Sequence, residues 1–158
     1  MAKTNIKGQD VGLFIEKTPG SGTYARIMCV GDVSLDIDTE SDEASCVDSG
    51  NFKQFIPGQN SWSGSASLTA RQLTDDATAQ PAQTDATDGV SLENLIDYQL
   101  AGRNILMRFT LGLGVGSARY GGNIFITKSG IKGQLKGVAT GSISFQGTGE
   151  LAKTLTPA

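Results

Sequence analysis

Residues 47–70, VDSGNFKQFIPGQNSWSGSASLTA, decide how the rest of the chain is read. Asp48-Ser49-Gly50 supplies a side-chain acceptor and then a residue that tolerates positive φ, a turn signal with a mechanism. Phe52 and Phe55-Ile56 add apolar bulk, and Pro57-Gly58 fixes φ at one position and frees it at the next, which marks a bend. Beyond Ser61 the chain alternates. Trp62, Gly64, Ala66, Leu68 and Ala70 fall on one side, and Ser63, Ser65, Ser67 and Thr69 on the other. That period of two belongs to a strand with one dry and one wet face. The dry face begins at Trp62, the single Trp of the protein.

The same pattern recurs on both sides of this stretch. Upstream, residues 11–16 (VGLFIE) and 24–30 (YARIMCV) read as a hairpin around Lys17-Thr18-Pro19-Gly20-Ser21-Gly22, with Gly31-Asp32 as the next turn. Val33, Leu35 and Ile37 then alternate with Ser34, Asp36, Asp38 and Glu40. Residues 44–47 are expected to start another strand. Downstream, residues 138–148 (VATGSISFQGT) place Ala139, Gly141, Ile143, Phe145 and Gly147 opposite Thr140, Ser142, Ser144, Gln146 and Thr148. Residues 104–111 and 118–127 read as two more strands. The intervening Gly112-Leu113-Gly114-Val115-Gly116 resembles a dinucleotide fingerprint, but no helix opens after it, so a hairpin loop is the reading. Residues 129–137 read as a Lys- and Gly-rich link, and 150–158 as a partly ordered tail.

Two segments break the period. Residues 72–89 (QLTDDATAQPAQTDATDG) hold almost nothing to bury and read as a long exposed loop. Ser91 then opens a helix as N-cap, with Asn94 in the capping-box position, Leu92, Leu95, Ile96 and Leu100 as an apolar stripe, and Gly102 as its stop. About ten residues of helix are too few to stand alone, so it must lie on the sheet. Leu92, Leu95 and Ile96, with Trp62, Leu68 and Phe145, are the expected core anchors. About eight strands with one short helix give an all-β sandwich or barrel with a flanking helix and a long exposed loop.

Composition narrows the chemistry. The 158 residues suit one domain, with short arms at 1–10 and 150–158. Glycine at 21 positions favours tight turns and strands over a helical bundle. There is no histidine, so the usual zinc sites and Ser-His or Cys-His nucleophile systems are excluded. No cofactor is expected. Cys29 and Cys46 are expected to be reduced, though a bond between them stays open. No apolar run approaches a membrane span, and MAKTNIKGQDVG does not read as a secretory signal. The net charge is −3 with scattered cations, so nothing pulls the surface toward nucleic acid. Asp36 and Asp38 share a strand face, but a solvated acidic face explains them better than a hydrolytic pair. The chain does not read as an enzyme.

The wet rows Ser63, Ser65, Ser67, Thr69 and Thr140, Ser142, Ser144, Gln146 carry no charge. Solvent faces of a monomer ordinarily carry Lys and Glu, partly to block edge pairing, so bare hydroxyl rows suggest a surface that meets another subunit. The run from Asp48 through Trp62 to Ala66 resembles the signature of phage major tail, or tail tube, proteins of the TP901-1-like family. Further resemblance lies at residues 97–105 and at Phe145-Gln146-Gly147-Thr148-Gly149.

The resemblance implies a virion structural protein, assembled in the host bacterial cytoplasm. Hexameric rings of it would stack into a hollow tail tube that conducts phage DNA without binding it specifically. It implies tape measure, tail terminator and distal tail proteins as partners. Trp62 would be a core anchor beside the helix stripe. The loop residues Asp75, Asp76, Pro81, Asp85 and Asp88, with both arms, would make ring-to-ring contacts. Asp36, Asp38 and Glu40 would line a negative lumen. The inner tube of a contractile tail or of a type VI-like injection system is an alternative with the same fold. A monomeric sandwich binding carbohydrate or a cell surface is the alternative of another class. Three Tyr and one Trp give the latter few exposed aromatics to work with.

Overall fold

The computed structural model describes residues 6–8, 11–16, 20–27, 30–45, 50, 52–69, 90–112, 116–133, 135 and 137–155. Its elements are β1 (Val11–Glu16), β2 (Tyr24–Arg26), β3 (Val30–Glu43), β4 (Phe55–Thr69), α1 (Leu92–Leu100), β5 (Ile105–Leu111), β6 (Ala118–Lys132) and β7 (Thr140–Leu155). The fold is all-β with one short helix. The seven described strands form one sheet in the order β2-β1-β5-β6-β7-β4-β3, every pairing antiparallel.

Chain connectivity forces this sheet to curl. Seven strands laid flat span about 29 Å at the usual inter-strand spacing. Arg26 ends β2 at one edge and Val30 starts β3 at the other, and four Cα–Cα links reach at most about 15 Å. The first and last strands must therefore approach each other, rolling the sheet toward a barrel. A cleft lined by Val11, Leu13, Arg26 and Val33 lies where they meet. The inner face buries Leu13, Ile15, Trp62, Ala66, Leu68, Met107, Phe109, Ile124, Ile143 and Phe145.

Helix α1 closes the mouth of the roll. Val90 N–H donates to the Arg26 carbonyl at 3.1 Å, tying the helix entrance to the end of β2. Ser91 Oγ accepts from Asn94 N–H at 3.4 Å and Asn94 Oδ1 accepts from Ser91 N–H at 3.2 Å, a reciprocal capping box. Gly102 stops the helix with φ 61°. Leu92 and Leu95 are buried, Ile96 is partly buried, and Leu100 is exposed, because the stripe outruns the sheet beneath it.

Two glycines of β7 explain how large side chains fit. A Cβ at Gly141 would fall inside the Leu92 side chain, and one at Gly147 inside the Trp62 indole. Trp62 therefore packs on β7 six residues from the helix contact, about 20 Å along the strand. It does not sit beside the helix stripe as expected. Its Nε1–H donates to the Gly149 carbonyl at 3.1 Å.

Several boundaries differ from the sequence reading, each for a local reason. Gly31-Asp32 is no turn: β3 runs through it with a register irregularity between Val30 and Val33. Pro57-Gly58 lies inside β4, where β7 has not yet begun to pair, so the missing N–H breaks no bond on that side. Residues 129–132 belong to β6 rather than a link, because they pair with 140–143 of β7, and 150–155 belong to β7 rather than a loose tail, because 152–155 pair with 118–121 of β6. Ala44 and Ser45 lie outside any strand. Cys29, Cys46, the 72–89 segment and residues 113–115 lie outside the described residues.

Candidate assembly surface

The alternation of β4 and β7 makes one polar wall. Ser63 faces Gln146, Ser65 faces Ser144, Ser67 faces Ser142 and Thr69 faces Thr140. Directly opposed residues share a face, so the two hydroxyl rows lie side by side on the side away from Trp62 and Phe145. β3 extends the wall on one flank, with Ser34 beside Ser65, Asp36 beside Ser63 and Asp38 beside Ser61. β6 extends it on the other, with Phe125 beside Gln146, Lys128 beside Ser144, Gly130 beside Ser142 and Lys132 beside Thr140.

Some of the wall's polar groups are used within the subunit: Gln146 Nε2 donates to the Trp62 carbonyl at 2.9 Å. Ser34 Oγ and Ser65 Oγ are 3.0 Å apart, Asp32 N–H donates to Ser67 Oγ at 2.9 Å, and Thr127 Oγ1 donates to the Ser144 carbonyl at 3.1 Å. Asp36, Asp38 and Glu40 are exposed, without an ion pair among the described residues. Their alternate positions bring all three to the wall face. The same holds for Lys128 and Lys132, which sequence reasoning missed because Lys-Ser-Gly composition reads as a loop. Only their pairing with β7 reveals the face they occupy.

Both flanks of the wall are open. Among the described residues, β3 is an outermost strand, and β5 pairs with β6 only between Ala118 and Ile124, leaving 125–132 without a strand neighbour on that side. Gln99 Nε2 donates to the Thr127 carbonyl there at 3.3 Å, and Ser129 Oγ bonds to Gln99 Oε1. At the far end of β3 and β4, Phe52, Phe55 and Ile56 are exposed rather than packed, since no inner face extends beneath them. Ile131, Leu135 and Val138 are exposed at the opposite end of the wall.

The expected core anchors Trp62, Leu68, Leu92, Leu95 and Phe145 are buried on the inner face, with Ile96 at its margin. Asp75, Asp76, Pro81, Asp85 and Asp88 lie outside the described residues. Among the described residues, no group of three His, Cys, Asp or Glu could hold a metal ion, and no helix is long and apolar enough to cross a membrane.

No protein-family model and no curated protein matches the sequence. Solved structures do match. A chain in the tail of an empty gene transfer agent particle, refined with C6 symmetry, superposes at TM-score 0.69 and 18% identity, covering 94% of this chain and 98% of that one. A chain of the SPP1 tail tube gives TM-score 0.68 at 17% identity over 98% of this chain and 81% of that one. A chain of the sixfold-symmetrised anti-feeding prophage baseplate gives 0.60 at 8% identity, covering 98% and 97%. The fold is one these particles share. The open-flanked wall is thus set within an architecture found in two tails and a baseplate.

Proposed function

We propose that this chain is the building block of a tail tube, one domain per subunit, assembling into hexameric rings that stack into a hollow conduit for phage DNA. The observation that carries the reading is the four-stranded wall β6-β7-β4-β3 with both flanks open. Unpaired edges are an aggregation liability in a monomer and are removed when copies close into a ring. The C6 tail that shares the fold supports a sixfold ring. The nearer kinship with TP901-1-like tail proteins rests on the 48–66 signature.

In this reading the hydroxyl wall faces the lumen. The hydroxyl rows offer phosphate no cation, and the wall's two lysines, Lys128 and Lys132, are outnumbered by the carboxylates of Asp36, Asp38 and Glu40, so DNA gains little counterion release by stopping. The exposed apolar groups at the two ends of the wall, with the 72–89 loop and the arms, are the ring-to-ring contacts. Tape measure, terminator and distal tail proteins meet the tube at its ends, and the protein resides in the virion tail after assembly in the host cytoplasm. The chain has no catalytic role.

The test is sedimentation of the purified subunit over a concentration series, followed by negative-stain microscopy. Rings or tubes with a central channel are expected. A subunit that stays monomeric at every concentration and salt would overturn the proposal and favour a solitary binding module.

A further inference from the structure

Resting on that reading, we propose that the ring closes through a charge-matched β-ladder. β3 of one copy joins residues 125–132 of the next copy's β6, with Asp36 opposite the neighbour's Lys132 and Glu40 opposite the neighbour's Lys128. Asp38 falls opposite Gly130 and keeps its charge for the lumen.

Strand direction permits this joint. β6, β7, β4 and β3 alternate in direction along the wall. The β6 of one copy therefore meets the β3 of the next antiparallel, with the hydroxyl face continuous across the seam. Spacing matches as well. Lys128 and Lys132 are four residues apart on the wall face of their strand, as are Asp36 and Glu40 on theirs. In an antiparallel ladder both pairs form together. The stretch 125–132, with Thr127 left out of the pairing, then lies against β3 from Asp42 back to Asp36. Thr127, whose carbonyl already accepts from Gln99, sits at the register irregularity between Ile126 and Lys128 and can be skipped by the ladder.

Barrel geometry selects among the registers. Within one copy, the row through Lys128 crosses Ser144 and Ser65 to Ser34. Placing the neighbour's Lys128 at Glu40 staggers each copy by six residues over four strands. That is about 20 Å of rise against about 19 Å of width, a strand tilt of about 45° and the upper end of the usual barrel range. Pairing the lysines with Asp38 and Asp42 instead requires a tilt of about 54°, outside that range. Sliding the other way puts Lys132 opposite Ser34 and loses a pair. Exposed ion pairs are individually weak, so the match acts chiefly by penalising joints between like edges, β3 with β3 or β6 with β6, where like charges would meet. Edge lysines can also serve merely to block unwanted pairing, and the experiment separates the two roles.

Two full-length variants are made: Asp36→Lys with Glu40→Lys, and Lys128→Glu with Lys132→Glu. Each alone places like charges at every joint and is expected to raise the concentration needed for ring formation about tenfold or more. Mixed in equal amounts they are expected to form rings again, alternating around the circle, because an even-membered ring closes without a mismatched joint. Native mass spectrometry should then find three copies of each in the C6 ring. Circular dichroism checks that each variant is folded. If either is not, the wild type carries the test, its ring-forming concentration rising with salt; indifference to salt would overturn the ladder. If the wild type forms rings and both variants do so equally well, or if the mixture stays apart, the charge match is wrong while the tube reading stands. If the wild type forms no rings, the tube reading itself fails.

Discussion

The two faces of β4 and β7 are built from the same strands in the same register, yet they follow different rules. The inner face is keyed by shape. Trp62 lies where Gly147 leaves room, the Phe145 ring where Gly64 does, and Leu92 over Gly141. The outer face has no such keying: its Ser and Thr side chains are small, similar and mostly unengaged within the subunit. A face that discriminates size at every position specifies one subunit structure. One that repeats the same small polar group specifies little by itself, and its information lies at its flanks, in β3 and β6. Stability and assembly should therefore be separable by mutation.

The largest effect on stability should come from Trp62→Ala. Removing the indole leaves Gly122 and Gly147 facing a void and strands the Gly149 carbonyl that Nε1–H now satisfies. About 3–5 kcal/mol of destabilisation is expected for the loss of such a buried ring, measured by chemical denaturation of the subunit. A cost below about 1 kcal/mol would mean that the inner face is not keyed as described. Next comes Ser91→Ala, which removes the helix cap and should cost about 1 kcal/mol, read as a lower thermal midpoint. Ring formation by the folded fraction should be unchanged, since Ser91 lies at the opposite end of α1 from the Gln99 contact with the β6 flank.

Legibility follows the same division. The alternation in 62–68 and 139–147 was readable because one dry face imposes a strict period of two, and the capping box at Ser91 and Asn94 was readable because it is local. The long strands were underread where they leave the core. Ser129 to Lys132 look like a linker, and only Thr140 to Ile143 across the ladder turn them into strand. Pro57 and Gly58 look like a turn, yet they sit where one neighbour strand is absent. Phe52, Phe55 and Ile56 look like core, but hydrophobicity alone cannot tell a side chain buried within a subunit from one left for its neighbour. For the same reason Asp36, Asp38 and Glu40 could be gathered onto one face from sequence, whereas their relation to Lys128 and Lys132 depended on the order of four strands.

The smallest effects on the subunit should arise in the middle of the wall. Ser65→Ala removes an exposed hydroxyl and Ser144→Ala a half-buried one, and each should change stability by about 0.5 kcal/mol or less, with rings still forming. A loss of several kcal/mol in either would show that the outer face is keyed after all and would erase the contrast with Trp62.

Asp38 sharpens the comparison furthest, because its effect should be invisible in the subunit and in the ring. It is exposed, makes no ion pair among the described residues, and falls opposite a glycine in the proposed joint. Asp38→Asn should leave the denaturation midpoint and the ring-forming concentration unchanged. Asp38→Lys should keep the fold but give passing phosphates a cation at every subunit, adding the counterion-release gain that the wild-type wall withholds. Release of DNA from particles carrying it should slow, and should recover as salt is raised, since screening acts within about 8 Å at physiological ionic strength. Unchanged release at low salt would place Asp38 away from the channel and turn the hydroxyl wall toward the outside of the tube. Lost rings with intact subunits would instead move Asp38 into the joint and shift the ladder register.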